Sequence, residues 1–270
     1  MGKVIKHLTD DEIFFYIKDC LEPTKDLGWS SDILFTDEDS YLWEDKLKNA
    51  IKDCRWVASG CTKLVFSLDG LADYVVKIPF YGKKWVNSWG EDDWDYFHKA
   101  GHDFMDNNAP NNFREMVTSV EGNYCELETN IYQYMKNNYP DIANCFCETR
   151  YLGEALKGVH VYISKRVDMD LQVEEGEFQS SSKTFVNSER KAKDDNHKIN
   201  LNNYQKAMFI DSWGQEIAEE LFSVIEKLGI PDLYAANLGV KIDEHKIYLI
   251  DYSGYGDAEW GCYSDIEEED

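Results

Sequence analysis

Apolar residues recur along this chain first at helical spacing and then at strand spacing, and the changes of period mark its organisation. Thr9, with Glu12 three residues later, has the form of a capping box and predicts a helix through about Cys20. A second helix is expected over 39–54, with Leu47, Ile51 and Cys54 on one face. From 56 to 79 the period falls to two. Leu64, Phe66 and Leu68 alternate with polar or smaller residues, Asp69-Gly70 forms a turn, and Tyr74-Val75-Val76-Lys77-Ile78 resumes the strand. Alternation puts Tyr74, Val76 and Ile78 on one face, and Val75 and Lys77 on the other.

Helical spacing returns at 124–138, where Leu127, Ile131 and Met135 form an apolar stripe and Pro140 follows. Strands are expected near 149–152 and 159–165. A helix over 211–228 carries Trp213, Ile217, Leu221, Val224 and Leu228 on one stripe, and Gly229 stops it. The hydrophobic runs 238–242 and 246–250 read as a hairpin. Two stretches carry no such period. Residues 81–115 are polar, acidic and aromatic, with Trp85, Trp89, Trp94, Tyr96 and Phe97. Residues 174–200 are rich in Ser, Lys, Asp and Asn, with few large apolar groups, and read as a mobile insertion. The pattern predicts an α+β protein.

Composition narrows the function classes. The formal net charge of −24 repels nucleic-acid backbone and anionic membrane, so a direct nucleic-acid binder is not expected. It suits high solubility, or a surface that binds a basic partner. The seven cysteines form no CxxC pair, and they read as reduced thiols of a cytoplasmic protein. No apolar stretch has the length of a membrane span, and the first residues, MGKVIKHLTDDE, lack a signal-peptide core.

The chemistry lies in single residues at fixed spacings. Pro231-Asp232-Leu233-Tyr234-Ala235-Ala236-Asn237 gives D-x-x-x-x-N; the hairpin follows, and Ile250-Asp251-Tyr252-Ser253-Gly254 ends it on an aspartate. Upstream lie a turn, Ala58-Ser59-Gly60-Cys61-Thr62, a strand with an internal lysine, Lys77, and a helix with a glutamate, Glu128. Glu126 is the alternative to Glu128 if the helix register differs. Taken singly, each has an ordinary reading: a surface lysine, a solvated glutamate, an aspartate beside a turn. Taken in order, they have a common one.

This order resembles the protein-kinase-like superfamily over roughly 56–255. The resemblance implies a two-lobed fold: a helical extension at 1–55, an N-lobe at 56–165 with the insertion 81–115, and a shortened C-lobe at 166–270 with an acidic tail, EEED. It implies an ATP- and Mg²⁺-dependent phosphotransferase. Gly60, Val65 and Val75 would face the nucleotide. Lys77, held by Glu128, would contact the phosphates, Asn237 and Asp251 would hold Mg²⁺, and Asp232 would orient the acceptor hydroxyl. Several positions depart from the family pattern. One glycine stands where three are usual, Ile230-Pro231 replaces a His-Arg or His-Gly pair, and sixteen residues follow Gly254. Such reduced proteins are expected of bacterial or bacteriophage genomes. From another class comes a second expectation: a kinase-like scaffold without turnover, whose acidic aromatic surface binds and blocks a basic partner such as a nucleic-acid-binding protein. His98 and His102, four residues apart near Asp103 and Asp106, form a weaker metal candidate, and Cys61 a candidate reactive thiol.

Overall fold

A computed structural model describes residues 8–27, 29, 45–59, 63–79, 109–120, 123–168, 201, 203–230, 233, 237–241 and 244–253. These residues fall into two compact units. The first takes the described residues up to 79 together with 123–126 and 149–166; the second takes 109–120, 127–148 and those from 167 onward.

The first unit is built on a five-stranded antiparallel sheet: β1 (Cys54–Ser59), β2 (Lys63–Leu68), β3 (Tyr74–Pro79), β4 (Thr149–Leu156) and β5 (Val159–Lys165), in the order β1-β2-β3-β5-β4. Alternation decides which face is apolar. Leu64, Phe66, Leu68, Val76, Ile78, Val161 and Ile163 share one core with Ile13, Ile17 and Leu21 of helix α1 (Asp10–Leu21). The capping box opens α1 as expected: Thr9 Oγ1 accepts the Glu12 N–H at 3.3 Å, and Glu12 Oε2 accepts the Thr9 N–H at 2.9 Å. A cap of this kind contributes about 1 kcal/mol. Arg150 of β4 fastens the helix from the sheet side. Its Nη2 meets Asp10 Oδ1 at 2.9 Å, and its guanidinium lies 5.1 Å from the Tyr74 ring centre. Thus α1 packs within this unit.

Residues 45–50 are helical (α2), with Leu47 and Ile51 buried in the same core. The expected helix through Cys54 ends sooner. Asp53 adopts φ 59°, a left-handed conformation that aspartate tolerates better than most residues, and Cys54 opens β1. The Asp53 carbonyl accepts the Asp69 N–H at 2.9 Å, so the chain turns there to pair with β2.

The second unit is mainly helical: α3 (Asn111–Thr118), the greater part of α4 (Tyr124–Asn138), α5 (Pro140–Ala143), α6 (Asn203–Trp213) and α7 (Gln215–Leu228), with the hairpin β6 (Leu238–Lys241) and β7 (Lys246–Leu249). Leu127, Ile131 and Met135 of α4 are buried as their spacing predicted. Helix α3 occupies the end of the stretch read as polar and without period. Two apolar residues four apart, Phe113 and Val117, hold it, and Phe113 packs edge-on against Tyr134 at 4.8 Å between centroids.

The single helix expected over 211–228 is two helices. Gly214 separates them at φ 90°, ψ 158°, a backbone conformation essentially restricted to glycine. Trp213 therefore closes α6 and does not begin the α7 stripe. Its indole N–H donates to the Ile247 carbonyl at 2.8 Å, and its ring meets Tyr248 edge-on at 5.5 Å. Both sides of the hairpin are paired. Asp168 and Val240 exchange two backbone hydrogen bonds of 2.9 and 2.7 Å, while Leu249 bonds to Cys145 and Cys147 at 2.9 and 2.8 Å. None of the described helices is long and apolar enough to cross a membrane.

Candidate functional site

In the first unit, Lys77 lies on β3 on the face opposite the apolar core, as alternation predicted. Antiparallel register places Val65 of β2 directly across from it on one side and Tyr162 of β5 on the other. Directly opposed residues share a face, so Val65, Lys77 and Tyr162 form one row. Val75 and Ser164 face each other one step along, and Thr149 pairs in turn with Ser164. This face is both polar and enclosed. Lys77, Tyr162, Ser164 and Thr149 are all buried, and Val65 and Val75 are half-buried. The Lys77 ammonium donates to Thr149 Oγ1 at 3.5 Å. A lysine only 5 % exposed is costly to keep charged without compensation, by several kcal/mol, which distinguishes it from a surface lysine on a half-exposed strand.

Helix α4 begins on the same face. Asn123 precedes it as a cap: its Oδ1 accepts the Glu126 N–H at 3.0 Å, and its Nδ2 donates to Glu126 Oε2 at 3.2 Å. The same amide nitrogen donates to the Tyr162 hydroxyl at 2.8 Å. The two glutamates have different surroundings. Glu126 is exposed and engaged in the cap, whereas Glu128 is 0 % exposed. A carboxylate buried to that degree is rare without compensating partners.

In the second unit the hairpin brings Asn237 and Asp251 to one end. The Asn237 carbonyl accepts the Ile250 N–H at 3.0 Å, one step beyond the Leu238–Leu249 pair. Asn237 is buried and Asp251 half-buried. Asp251 Oδ1 accepts from the Ser253 hydroxyl at 3.2 Å and from its N–H at 3.4 Å, which turns the chain just after the carboxylate. Tyr252, between them, points into the core: its ring packs edge-on against Phe146 at 5.0 Å, and its hydroxyl donates to the Cys147 carbonyl at 2.8 Å. Alternate residues are thus sent to different surroundings. Among the described residues, no three His, Cys, Asp or Glu side chains gather as a metal cage.

Of the other residues singled out from the sequence, Asp232, Gly60, Cys61, His98 and His102 lie outside the described residues, as do 174–200 and the acidic tail. Thr149, Tyr162 and Asn123 were not anticipated. Asn123 had a signal, because Asn-x-x-Glu before an apolar helix is a capping pattern. Tyr162 becomes visible only once β3 and β5 are paired.

No protein-family model matches the chain. No curated protein and no solved structure matches it either.

Proposed function

We propose that the protein is an ATP- and Mg²⁺-dependent phosphotransferase of protein-kinase-like fold. The observation that carries this reading is the buried face of β3, where Lys77 stands between Val65 and Tyr162 in register. Together with β2 it offers what a nucleoside triphosphate requires of a sheet face: apolar side chains, Val65 and Val75, for a base and a cation for phosphate. The location of a lysine on the third strand, with a glutamate-bearing helix following in sequence, is the arrangement that protein kinases use.

The donor set fits the metal. Mg²⁺ binds through one or two protein oxygens together with nucleotide phosphates and seldom needs a cage built wholly of protein. Asn237 and Asp251, an amide and a carboxylate at one end of a hairpin, are ligands of that kind. Bound ATP supplies the phosphoryl group. The protein's own residues have four tasks. Lys77 neutralises phosphate charge, Glu128 holds the lysine's orientation, Asn237 and Asp251 hold the metal, and Asp232 orients the acceptor hydroxyl or takes its proton.

The test is thermal denaturation of the full chain with ATP and Mg²⁺, separately and together. A ligand that binds only the native state stabilises it by mass action, by about 2.7 kcal/mol at a hundredfold excess over Kd. The proposal requires a rise in Tm with ATP and Mg²⁺ together. An unchanged Tm at millimolar ligand removes its basis.

A further inference from the structure

We infer that Asn123 is a positioning residue, which ties the start of the glutamate-bearing helix to the strand beside Lys77 through the Tyr162 hydroxyl. The inference rests on the phosphotransferase reading, and it assigns to that site a residue that neither spacing nor resemblance suggested.

Asn123 makes two kinds of bond with one side chain. The carbonyl end caps α4 by accepting the Glu126 N–H at 3.0 Å. The amide end donates to the Tyr162 hydroxyl at 2.8 Å and to Glu126 Oε2 at 3.2 Å. Capping needs only the carbonyl end, and serine, threonine or aspartate performs it equally well. Asparagine carries a donor beside the acceptor on the same carboxamide, and so reaches the second partner as well. That partner is not a passing surface group. Tyr162 is buried, pairs in register with Lys77, and packs at 5.0 Å between ring centroids against Tyr151 of the next strand. Asn123 is itself only 3 % exposed, so water does not readily replace the bond. A strand residue fixed on both sides and a helix start fixed at its cap are joined through one hydrogen bond. Glu128 lies within the first two turns of the helix so anchored. The bond therefore fixes the first turn of α4 to the strand pair that carries Lys77.

Cap and tether separate by substitution. Asn123→Ser retains an oxygen for the Glu126 N–H but is too short to reach Tyr162. Asn123→Ala loses both functions. Tyr162→Phe removes only the hydroxyl and preserves ring packing. The measurement is the Kd of Mg-ATP for the full-length wild type and each variant, with the Tm of each protein without ligand. If the tether positions the site, Asn123→Ser and Tyr162→Phe both weaken Mg-ATP binding by about three- to tenfold, as expected for one lost hydrogen bond. The double variant is no worse than either single one, because both remove the same bond. Asn123→Ala shows the same loss of affinity and a further drop in Tm from the missing cap. Tyr162→Phe that folds and binds Mg-ATP like the wild type overturns the inference and leaves the phosphotransferase reading intact. A wild type that binds no Mg-ATP overturns both.

Discussion

The carbonyl of Asn237 accepts the amide N–H of Ile250 at 3.0 Å, and this one bond sets an amide and the carboxylate of Asp251 at neighbouring positions. It extends the β6–β7 ladder by one step, so the placement depends on strand pairing and not on a flexible loop. In the proposed function, metal affinity would then depend on the side chains. Asp251→Ala removes a charged oxygen ligand but leaves the backbone bond in place. In the wild type, ATP binding measured by calorimetry should be stronger with Mg²⁺ than with a chelator present. In Asp251→Ala the two values should coincide. Loss of even an indirect metal-site partner costs about 10- to 100-fold, and a ligand should cost no less.

Gly239 tests the packing behind that hairpin. A Cβ added there would press into the Val167 side chain and stand 2.8 Å from Ile250 Cγ2. Gly239 pairs with Tyr248, and both neighbours of the added atom belong to segments flanking the hairpin. Relief would require moving Val167 or Ile250, and the latter carries the bond to Asn237. Gly239→Ala should therefore destabilise the protein by roughly 1–3 kcal/mol, the usual cost of overpacking. The midpoint of urea denaturation should fall without a change in slope. Mg-ATP affinity should fall in the same variant, because Ile250 positions Asn237.

Alkaline pH should loosen the second unit through Cys145. Burial pushes its thiol up to about 12 from an ordinary value of 9.0. Between those values the unfolded chain has released the proton while the native protein retains it. The native state then binds more protons than the unfolded state, so stability falls as pH rises. The contribution is fully present below about pH 9 and is lost as pH climbs through that window. Cys145→Ala should flatten the part of this loss that the thiol causes, in a plot of Tm against pH from about 8 to 11, a range that starts near the ordinary thiol pKa. The same burial predicts slow alkylation of Cys145 at neutral pH, since the thiolate is the reacting form.

Local signals were legible in the sequence, and signals that depend on distant pairing were not. Helix α1 could be read because Thr9 and Glu12 cap it within four residues, and α4 because Leu127, Ile131 and Met135 repeat at helical spacing. The Asn237–Asp251 relation is local too, as it is enclosed in one hairpin. By contrast, the register of β3 against β5 joins residues more than eighty apart in sequence, and it alone reveals Tyr162 beside Lys77. Gly214 gives no clear stop in the sequence, because a single glycine within a helical pattern costs only about 1 kcal/mol and the pattern continues across it. Phe113, Met116 and Val117 among Asn, Arg and Glu gave α3 too short a stripe to read. The turn at Asp53 was hidden for a different reason: its left-handed backbone is set by pairing with Asp69, sixteen residues on. Glu126 and Glu128 look alike in sequence and differ in burial, which only the tertiary structure shows.

Asp232 separates a catalyst from a scaffold. In the proposed phosphotransferase its place in D-x-x-x-x-N, five residues before Asn237, would put it with the acceptor and not with the nucleotide. Asp232→Asn retains size and most hydrogen bonding but removes the carboxylate that receives or orients the acceptor's proton. Positioned acid–base groups contribute on the order of 10² to 10⁴ in rate. Phosphoryl transfer from radiolabelled ATP, to the protein itself or to proteins of a cell extract, should fall by that factor while Mg-ATP affinity stays near the wild-type value. A scaffold acting through its negative charge gives the reverse. Neutralising Glu91, Asp92 and Asp93, or the tail at 267–270, would abolish its biological effect, whereas Asp232→Asn would leave that effect unchanged. Its binding to a basic partner would also weaken with salt, since the Debye length contracts to about 3 Å at 1 M. Both variants belong in one assay, alongside their melting temperatures, so that loss of fold is not read as loss of function. Full activity in a folded Asp232→Asn protein would remove catalysis from the account, leaving the charge of −24 as the property that acts.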